Sequence, residues 1–159
     1  MSYSDPGMNM SPLRLHAVDA EDLALVSAVL QDMLIRVGDL LFMPETRRFA
    51  LVGARFDRVT EREGRLERCR AGLHFETVGN VRFRQIARDR PDTVLSLLAV
   101  TFEAGPQPPS GVVSLTFAGG AAIRFEVECV EAQMRDIGPR WAVRNRPSHD
   151  FAQDSDPDA

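Results

Sequence analysis

Three histidines, two cysteines and one close pair of glutamates are the residues of this 159-residue chain that could do chemistry. His74 alternates with Leu73 and Phe75, which turns its imidazole towards solvent or a second layer of structure. The other two histidines lie near the ends of the sequence, and no HxH, HExxH or CxxC spacing occurs. The sequence therefore predicts no zinc site and no cofactor, and Cys69 and Cys129 are expected to be reduced core residues.

Motifs for nucleophilic catalysis and for phosphate binding are missing. The chain has no GxSxG, no Walker loop and no GxGxxG, and Gly119-Gly120 stands between two predicted strands, which is typical of a hairpin. Glu126 and Glu128 share one strand face about 7 Å apart. Such a pair does acid and base work only if another element covers it and separates the two pKa values, whereas on an open face it is solvated.

Lysine is absent, and the arginines are unevenly distributed. Residues 47–90 hold twelve arginines and six acids, while the segments on both sides are acidic, so that the net charge is −4. A planar guanidinium suits phosphate and carboxylate, so this central segment can bind anions if folding gathers its charges. The candidate interaction surface consists of arginines in or next to predicted strands, Trp141 and one arginine near it: Arg47, Arg48, Arg55, Arg82, Arg84, Arg124, Trp141 and Arg144.

Trp141 is the only tryptophan and stands among three arginines in residues 139–147. In one interpretation the indole folds back onto the core as a clasp, and in the other it helps to recognise a single-stranded nucleic acid or another protein. The six acids interleaved with the central arginines, and the lack of aromatic interleaving of the RNP type, weaken the nucleic-acid interpretation.

Hydrophobic periodicity predicts one long helix and about eight strands. Residues 20–31 carry apolar side chains at helical spacing behind a candidate N-cap, Asp19. A second, short helix with Val130, Met134 and Ile137 on its apolar face is expected to end at Gly138. Residues 57–70 are read as an exposed loop or frayed helix. A period of two predicts strands over residues 33–37, 40–42, 48–56, 69–75, 81–83, 94–102, 112–117 and 123–129.

Turn chemistry predicts how several of these strands pair. A type II′ turn at residues 38–39 pairs residues 33–37 with 40–42, and the next turn sets Phe42 opposite Phe49. An odd-length loop after residue 117 sets Leu115 opposite Phe125. Residues 94–102 are apolar on both faces, which predicts a central strand covered by the helix on one side and by a second sheet or a partner subunit on the other.

These elements predict a single α+β domain at residues 13–147. It is mainly antiparallel β, as a bent sheet, a sandwich or an open barrel like that of pleckstrin-homology domains, with an N-terminal helix and a short C-terminal helix. Residues 1–12 and 148–159 are expected to be disordered tails, the second of them acidic. No apolar run approaches the ~20 residues that span a bilayer, and no export signal is apparent, so a cytoplasmic location is expected.

Four segments carry a family resemblance: LQDMLIRVGDLLFMPETRRFALVGARF, LHFE, LSLLAVTFE and LTFAGGAAIRFEVECVEAQMRDIGPRW, in this order. Together they resemble a bacterial family catalogued as domain of unknown function 2948, over residues 13–147. The resemblance implies a small cytoplasmic bacterial protein, and it supplies no activity, cofactor or catalytic residue.

Three functions are compatible with these observations. The first is a non-catalytic binding or protein-interaction module, whose partner is another protein or a second copy bound through a sheet face. The second is an anion or nucleic-acid binder that uses the central arginines and Trp141, with an affinity that falls steeply with salt. The third is a small enzyme with a pocket around His74 and the Glu126 and Glu128 pair. No membrane partner is expected.

Overall fold

Ten strands and one α-helix make up the part of the chain that the computed structural model describes, residues 12–57 and 67–142. The helix α1 covers Ala20–Leu30. The strands are β1 Arg14–Ala17, β2 Leu34–Arg36, β3 Leu40–Met43, β4 Arg48–Phe56, β5 Glu67–Phe75, β6 Val78–Arg84, β7 Val94–Ala104, β8 Gly111–Phe117, β9 Ala122–Val127 and β10 Ala132–Ala142.

All strand pairs are antiparallel and belong to one open sheet. The order across the sheet is β1-β10-β5-β4-β2-β7-β8-β9-β6, and β3 pairs with β4 beside this path. The mainly antiparallel fold with an N-terminal helix is therefore confirmed. The eight predicted strands are present, and β1 and β10 are two strands that the periodicity did not predict.

Helix α1 covers the apolar face of the sheet next to β7. The side chain of Asp19 accepts a hydrogen bond from the backbone N–H of Asp22 at 2.8 Å, so the predicted N-cap is confirmed. Leu23, Val26 and Leu30 are buried on one side of the helix. None of the described residues forms a helix long and apolar enough to cross a membrane.

The predicted C-terminal helix is wrong, because this segment is the strand β10. Met134 and Asp136 are buried and Arg135 and Ile137 are exposed, which is the alternation of a strand. Pairing with β5 and β1 on its two sides overrides the helical spacing. The glycine and proline that were expected to end a helix lie instead in a β-bulge. Asp136 pairs with Ala71 and Arg140 pairs with Cys69, so β10 has three residues between these two pairs where β5 has one.

The predicted hairpin between β2 and β3 is also wrong. Strand β2 pairs with β4 and β7, and β3 pairs only with β4. The residues between β2 and β3 form a 3-10 turn in which the N–H groups of Val37 and Gly38 donate to the carbonyls of Thr93 and Pro91. These contacts with the segment before β7 hold β2 away from β3. The predicted pairing of Phe42 with Phe49 is confirmed.

The β8 and β9 hairpin has the predicted odd-length loop, but its register is shifted by two residues. Leu115 lies opposite Ile123, and Val113 lies opposite Phe125. A shift of two leaves every side chain on its predicted face, so Leu115 and Phe125 both point into the core. Gly119 adopts a φ of 86°, which the tight loop requires and glycine adopts without strain.

The inner face of the sheet holds the core, in which the ring of Phe125 contacts the rings of Phe49 and Phe75. On β7, Leu97 and Val100 are buried, but Val94 and Leu98 are 55% and 43% exposed. Among the described residues no second sheet covers these outer side chains, and their cover by a partner subunit stays a prediction.

The expected exposed loop at residues 57–70 is wrong at both of its ends. Asp57 is 3% exposed, and Glu67 already begins β5. Arg68 is 7% exposed, because its Nη1 donates to the carbonyls of Asp32 and Ala54, each at 3.1 Å, and its guanidinium lies over the ring of Phe56. Residues 58–66, the predicted N-terminal tail up to residue 11 and the whole predicted C-terminal tail lie outside the described residues.

A basic groove on the outer face of the sheet

The predicted surface arginines lie on strands that are not all neighbours in the sheet order. Arg48 starts β4 and Arg84 ends β6, and in the sheet order β2, β7, β8 and β9 lie between these two strands. Arg82 on β6 lies directly opposite Arg124 on β9, beside a small hollow of about 170 Å³ that Glu126 also lines. Sheet order separates these arginines, although the start of β6 lies against the start of β4, where the N–H of Val78 donates to the carbonyl of Arg47 at 2.8 Å.

Three members of the predicted surface take other roles or lie elsewhere. Arg55 is 4% exposed and binds Asp136, so its assignment to an interaction surface is wrong: its position on the inner face of β4 leaves it only a buried partner. Trp141 is 44% exposed on β10, opposite Arg68 on β5. Arg144 lies outside the described residues.

The glutamate pair on the last predicted strand lies on an exposed face and is already bonded. Glu126 accepts a hydrogen bond from Asn80 at 2.9 Å, and Glu128 accepts one from Arg47 at 2.8 Å. Both carboxylates are exposed. His74 lies on β5 with a different carboxylate, that of Glu76. The predicted combination of His74 with Glu126 and Glu128 is therefore not formed.

A groove of about 700 Å³ lies on the outer face of β1, β10, β5 and β4. Its floor is made of small side chains, among them Ala50, Val52 and Gly72. A Cβ added at Gly72 would have only one atom within 4 Å, a carbonyl oxygen at 3.8 Å, so the floor there is open. The polar residues that line the groove are Arg14, His16, Arg48, His74, Gln133 and Arg135.

Two arginines face each other along one side of this groove. Arg14 on β1 is the direct cross-strand partner of Arg135 on β10, and both are exposed. Within the described residues, neither guanidinium has a hydrogen bond or an ion pair. Like charges directly opposite each other on neighbouring strands destabilise a sheet. This arginine pair therefore has unsatisfied capacity for an anion.

Two histidines lie in a row across the strands, two residues along β1 and β10 from the arginine pair. His16 on β1 and His74 on β5 are both opposite Gln133 of β10, one on each side. Nε2 of His16 is 3.4 Å from Glu131, and Nδ1 of His74 is 2.8 Å from Glu76. The groove thus has arginines along one side and histidines backed by carboxylates along the other.

Sequence reasoning singled out His74 and Arg48 and missed the arginine pair and His16. The signal that it missed is the alternation of outward polar residues in two short segments, Arg14 and His16 in one, and Gln133 and Arg135 in the other. Because β10 was predicted to be a helix, its outward side chains were not aligned with those of β5.

A buried charge network lies on the inner face beneath one end of the groove. Asp136 accepts hydrogen bonds from Arg55 at 2.7 and 2.9 Å and from the backbone N–H of Leu13 at 2.9 Å. Burial alone would raise the pKa of Asp136, but these hydrogen bonds outweigh it and hold the pKa below its ordinary value. Burial likewise opposes the charge of Arg55, whose pKa is nevertheless raised by Asp136. Arg140 binds Asp57 at 2.7 Å beside this pair.

Cys69 is buried in the same region, between Arg55 and Arg140 in the strand register. Burial raises the pKa of its thiol, and the neighbouring carboxylate of Asp136 raises it further. The neutral thiol is therefore the stable form, as expected for a core cysteine. Within the described residues, no group of three or more histidines, cysteines or acids could hold a metal ion.

The fold and the groove together define a class: a small, open antiparallel β-sheet protein with a basic concave face. The chain belongs to the family described as protein of unknown function (DUF2948), whose model matches residues 13–149. Comparison with curated proteins and with solved structures gave no match.

Proposed function

We propose that the protein is a non-catalytic binding module that recognises an anionic ligand in the groove on the outer face of its sheet. The observation that carries this proposal is the arginine pair. Arg14 and Arg135 stand directly opposite each other, exposed, with no carboxylate bound to either among the described residues. An anion that bridges both guanidinium groups removes their repulsion and gains charge-assisted hydrogen bonds.

Other arginines of the sheet are less available to a ligand. Arg47 and Arg48 are paired with Glu128 and Glu76. The second like-charged pair, Arg82 with Arg124, has the carboxylate of Glu126 in the same small hollow. The pair in the large groove is therefore the favoured place for an anion.

The lining of the groove favours a small anion over a single-stranded nucleic acid. No phenylalanine, tyrosine or tryptophan lies among the described residues that line it. Recognition of single strands normally uses aromatic side chains on which bases stack. Trp141 lies on the same strand as Arg135 but does not line the groove. The groove offers charge and a flat, small-residue floor, which suits a compact anionic group.

The test is calorimetric titration of the protein with pyrophosphate at neutral pH and low salt. Arg14→Gln and Arg135→Gln are each expected to weaken binding at least about tenfold, because each removes hydrogen bonds to a charged group worth about 1.5–3 kcal/mol. Arg84→Gln is the matched control, since it removes the same charge from an exposed strand outside the groove. Added salt is expected to weaken binding of the unaltered protein.

Two results would overturn the proposal. One is the absence of measurable binding of pyrophosphate at low salt. The other is an equal loss of affinity in the control and in the two groove variants, which would indicate attraction by the whole molecule and no site. Each groove variant is also expected to unfold at a slightly higher temperature than the unaltered protein when no anion is present, because it relieves a like-charged pair.

A further inference from the structure

A separate cleft of about 580 Å³ is lined by residues of the strands β3 and β6. Among the described strands, β3 pairs only with β4, and β6 pairs only with β9, so the sheet does not close between β3 and β6. The turn before β3 and the segment after β6 complete the lining of the cleft. Its volume falls within the range of about 300–1,000 Å³ that is usual for small-ligand pockets.

The wall of this cleft is mostly apolar. Leu40 and Phe42 are two residues apart on β3, and Val81 and Phe83 are two residues apart on β6. Side chains two residues apart on a strand lie on the same face, about 7 Å from each other. All four side chains are partly buried and pack against the core. Each strand therefore supplies an apolar wall that is long enough to lie against an extended chain.

Among the described residues that line the cleft, Arg88 is the one with a charged side chain. Its guanidinium carbon lies 4.2 Å from the centroid of the Phe83 ring, so the charged group is stacked on the apolar wall. No carboxylate of the described residues forms an ion pair with it. The polar side chain of Asn80, which also lines the cleft, already donates to Glu126 at 2.9 Å. Arg88 is therefore the group of this cleft that attracts an anion.

We propose that the cleft binds a carboxylate with an unbranched alkyl chain, of the class of medium-chain fatty acids. The alkyl chain lies against the apolar side chains of β3 and β6. The carboxylate carries a single negative charge and accepts two parallel hydrogen bonds from the planar guanidinium of Arg88. This site shares no lining residue with the anion groove, so the inference goes beyond the proposed function and does not depend on it.

The two strands are poorly suited to a peptide that would add as a further strand between them. Strand β3 has only four residues, Leu40–Met43, and the register of β6 shifts between Gly79 and Arg82, as at a β-bulge. Short edge strands and bulges both hinder the addition of another strand. A small molecule that binds through side chains does not need these edges. The cleft therefore favours a small molecule over a peptide.

The first experiment is an amide NMR titration of the isotopically labelled protein with butyrate, hexanoate and octanoate at neutral pH. Affinity is expected to rise by about twofold to fourfold for each added methylene, because the added group is buried against apolar side chains. The amide signals that shift are expected to belong to β3, β6 and the residues around Arg88. Saturating pyrophosphate is expected not to displace octanoate, since the groove is a different site.

The second experiment tests the role of Arg88 with octanoate and octanol, which have the same chain length and differ in charge. Arg88→Gln is expected to weaken octanoate binding by about fivefold to tenfold, because charge-assisted hydrogen bonds are lost. The same variant is expected to leave octanol binding within about twofold of the unaltered protein, because the alcohol has no charge to pair. Arg90→Gln is the matched control, since Arg90 is an exposed arginine two residues away that does not line the cleft.

A third experiment fills the cleft. Val81→Trp is expected to weaken octanoate binding at least about tenfold, because the indole takes the place of several methylenes of the chain. Leu41→Trp is the matched control, since Leu41 is 55% exposed on β3 and does not line the cleft. This control is expected to bind octanoate as the unaltered protein does. Circular dichroism and thermal unfolding verify that both variants are folded.

Several results would each overturn this inference and leave the anion-binding module intact. They are the absence of octanoate binding, an affinity that does not depend on chain length, and an equal loss of octanoate affinity in Arg88→Gln and Arg90→Gln. Displacement of octanoate by a peptide of alternating valine and threonine would identify an added strand as the occupant. A dimer in sedimentation that dissociates in Val81→Trp would identify a second copy of the chain, and either result would also overturn the inference.

Discussion

Substitution of Asp136 by asparagine removes a buried charge and leaves its partner in place. The side chain of Asp136 is 1% exposed, and that of Arg55 is 5% exposed. In Asp136→Asn the guanidinium of Arg55 loses its ionic partner but stays away from water. Breaking a buried ion pair by removing one member typically destabilises a protein by about 3–5 kcal/mol. We expect a loss in this range in the free energy of unfolding.

Urea unfolding followed by circular dichroism measures this loss. With a slope of about 1–3 kcal/mol per M for a domain of this size, the midpoint is expected to fall by about 2 M. Asp92→Asn is the matched control, because Asp92 is 87% exposed and pairs with Arg36 at the surface. An exposed pair contributes about 0–1 kcal/mol, so the control is expected to change the midpoint little.

The effect of Asp136→Asn is expected to depend on pH in a defined direction. The pKa of Asp136 is lower in the folded protein than its ordinary value of 3.8. The stabilisation is therefore complete above about pH 4 and is lost as the pH falls through the folded-state pKa. The difference between the unaltered protein and the variant is expected to shrink in acid. A loss below about 1 kcal/mol at pH 7, or a difference that grows in acid, would refute this reasoning.

Three further predictions concern two glycines and the cysteines. Gly53→Ala is expected to destabilise the protein by about 1–3 kcal/mol in urea unfolding, because the added Cβ would lie 2.5 Å from the carbonyl oxygen of Leu34. The alanine of Gly72→Ala would point into open space, so this variant is expected to unfold no more easily than the unaltered protein. Its methyl group on the groove floor is expected to weaken pyrophosphate binding in calorimetry. With a chromogenic thiol reagent at pH 8, Cys129 is expected to react first and Cys69 only as the protein unfolds. The reason is that Cys69 is buried and the pKa of its thiol is raised. Equal reaction rates of the two cysteines would contradict this prediction.

The parts of the fold that depend on local pattern could be predicted from the sequence. Alternation at period two placed Phe49 and Leu115 on the inner face whatever strand they pair with. The N-cap at Asp19 and the apolar side of α1 are likewise local features. Even the two-residue error in the β8 and β9 register left the faces unchanged, because side chains repeat every second residue.

The predictions that were wrong concern features that depend on contacts between residues far apart in the chain. A turn at residues 38–39 is compatible with a hairpin, but β2 pairs instead with β4 and β7, and the carbonyls of Thr93 and Pro91 bind the turn that follows it. The groove has the same dependence. His16 and His74 share a row because β10 lies between β1 and β5. The sequence of a single segment does not determine the order of these strands or their register.

The inner network and the outer groove are connected through the register of β10. Asp136 points inward between two residues that point outward, Arg135 and Ile137. Its carboxylate binds Arg55 of β4 and the backbone N–H of Leu13, and its own N–H donates to the carbonyl of Leu13, immediately before β1. A shift of β10 by one residue would turn Asp136 outward and carry Arg135 into the core.

The buried pair therefore positions the arginines of the groove without touching a ligand. Because Leu13 precedes Arg14 directly, the same carboxylate holds both strands that carry the arginine pair. Two unpaired guanidinium groups at this place oppose each other, and the bonds of Asp136 add to the ladder between β1 and β10 that keeps them there. A folded Asp136→Asn variant is accordingly expected to bind pyrophosphate more weakly than the Asp92→Asn control, even though neither residue lines the groove.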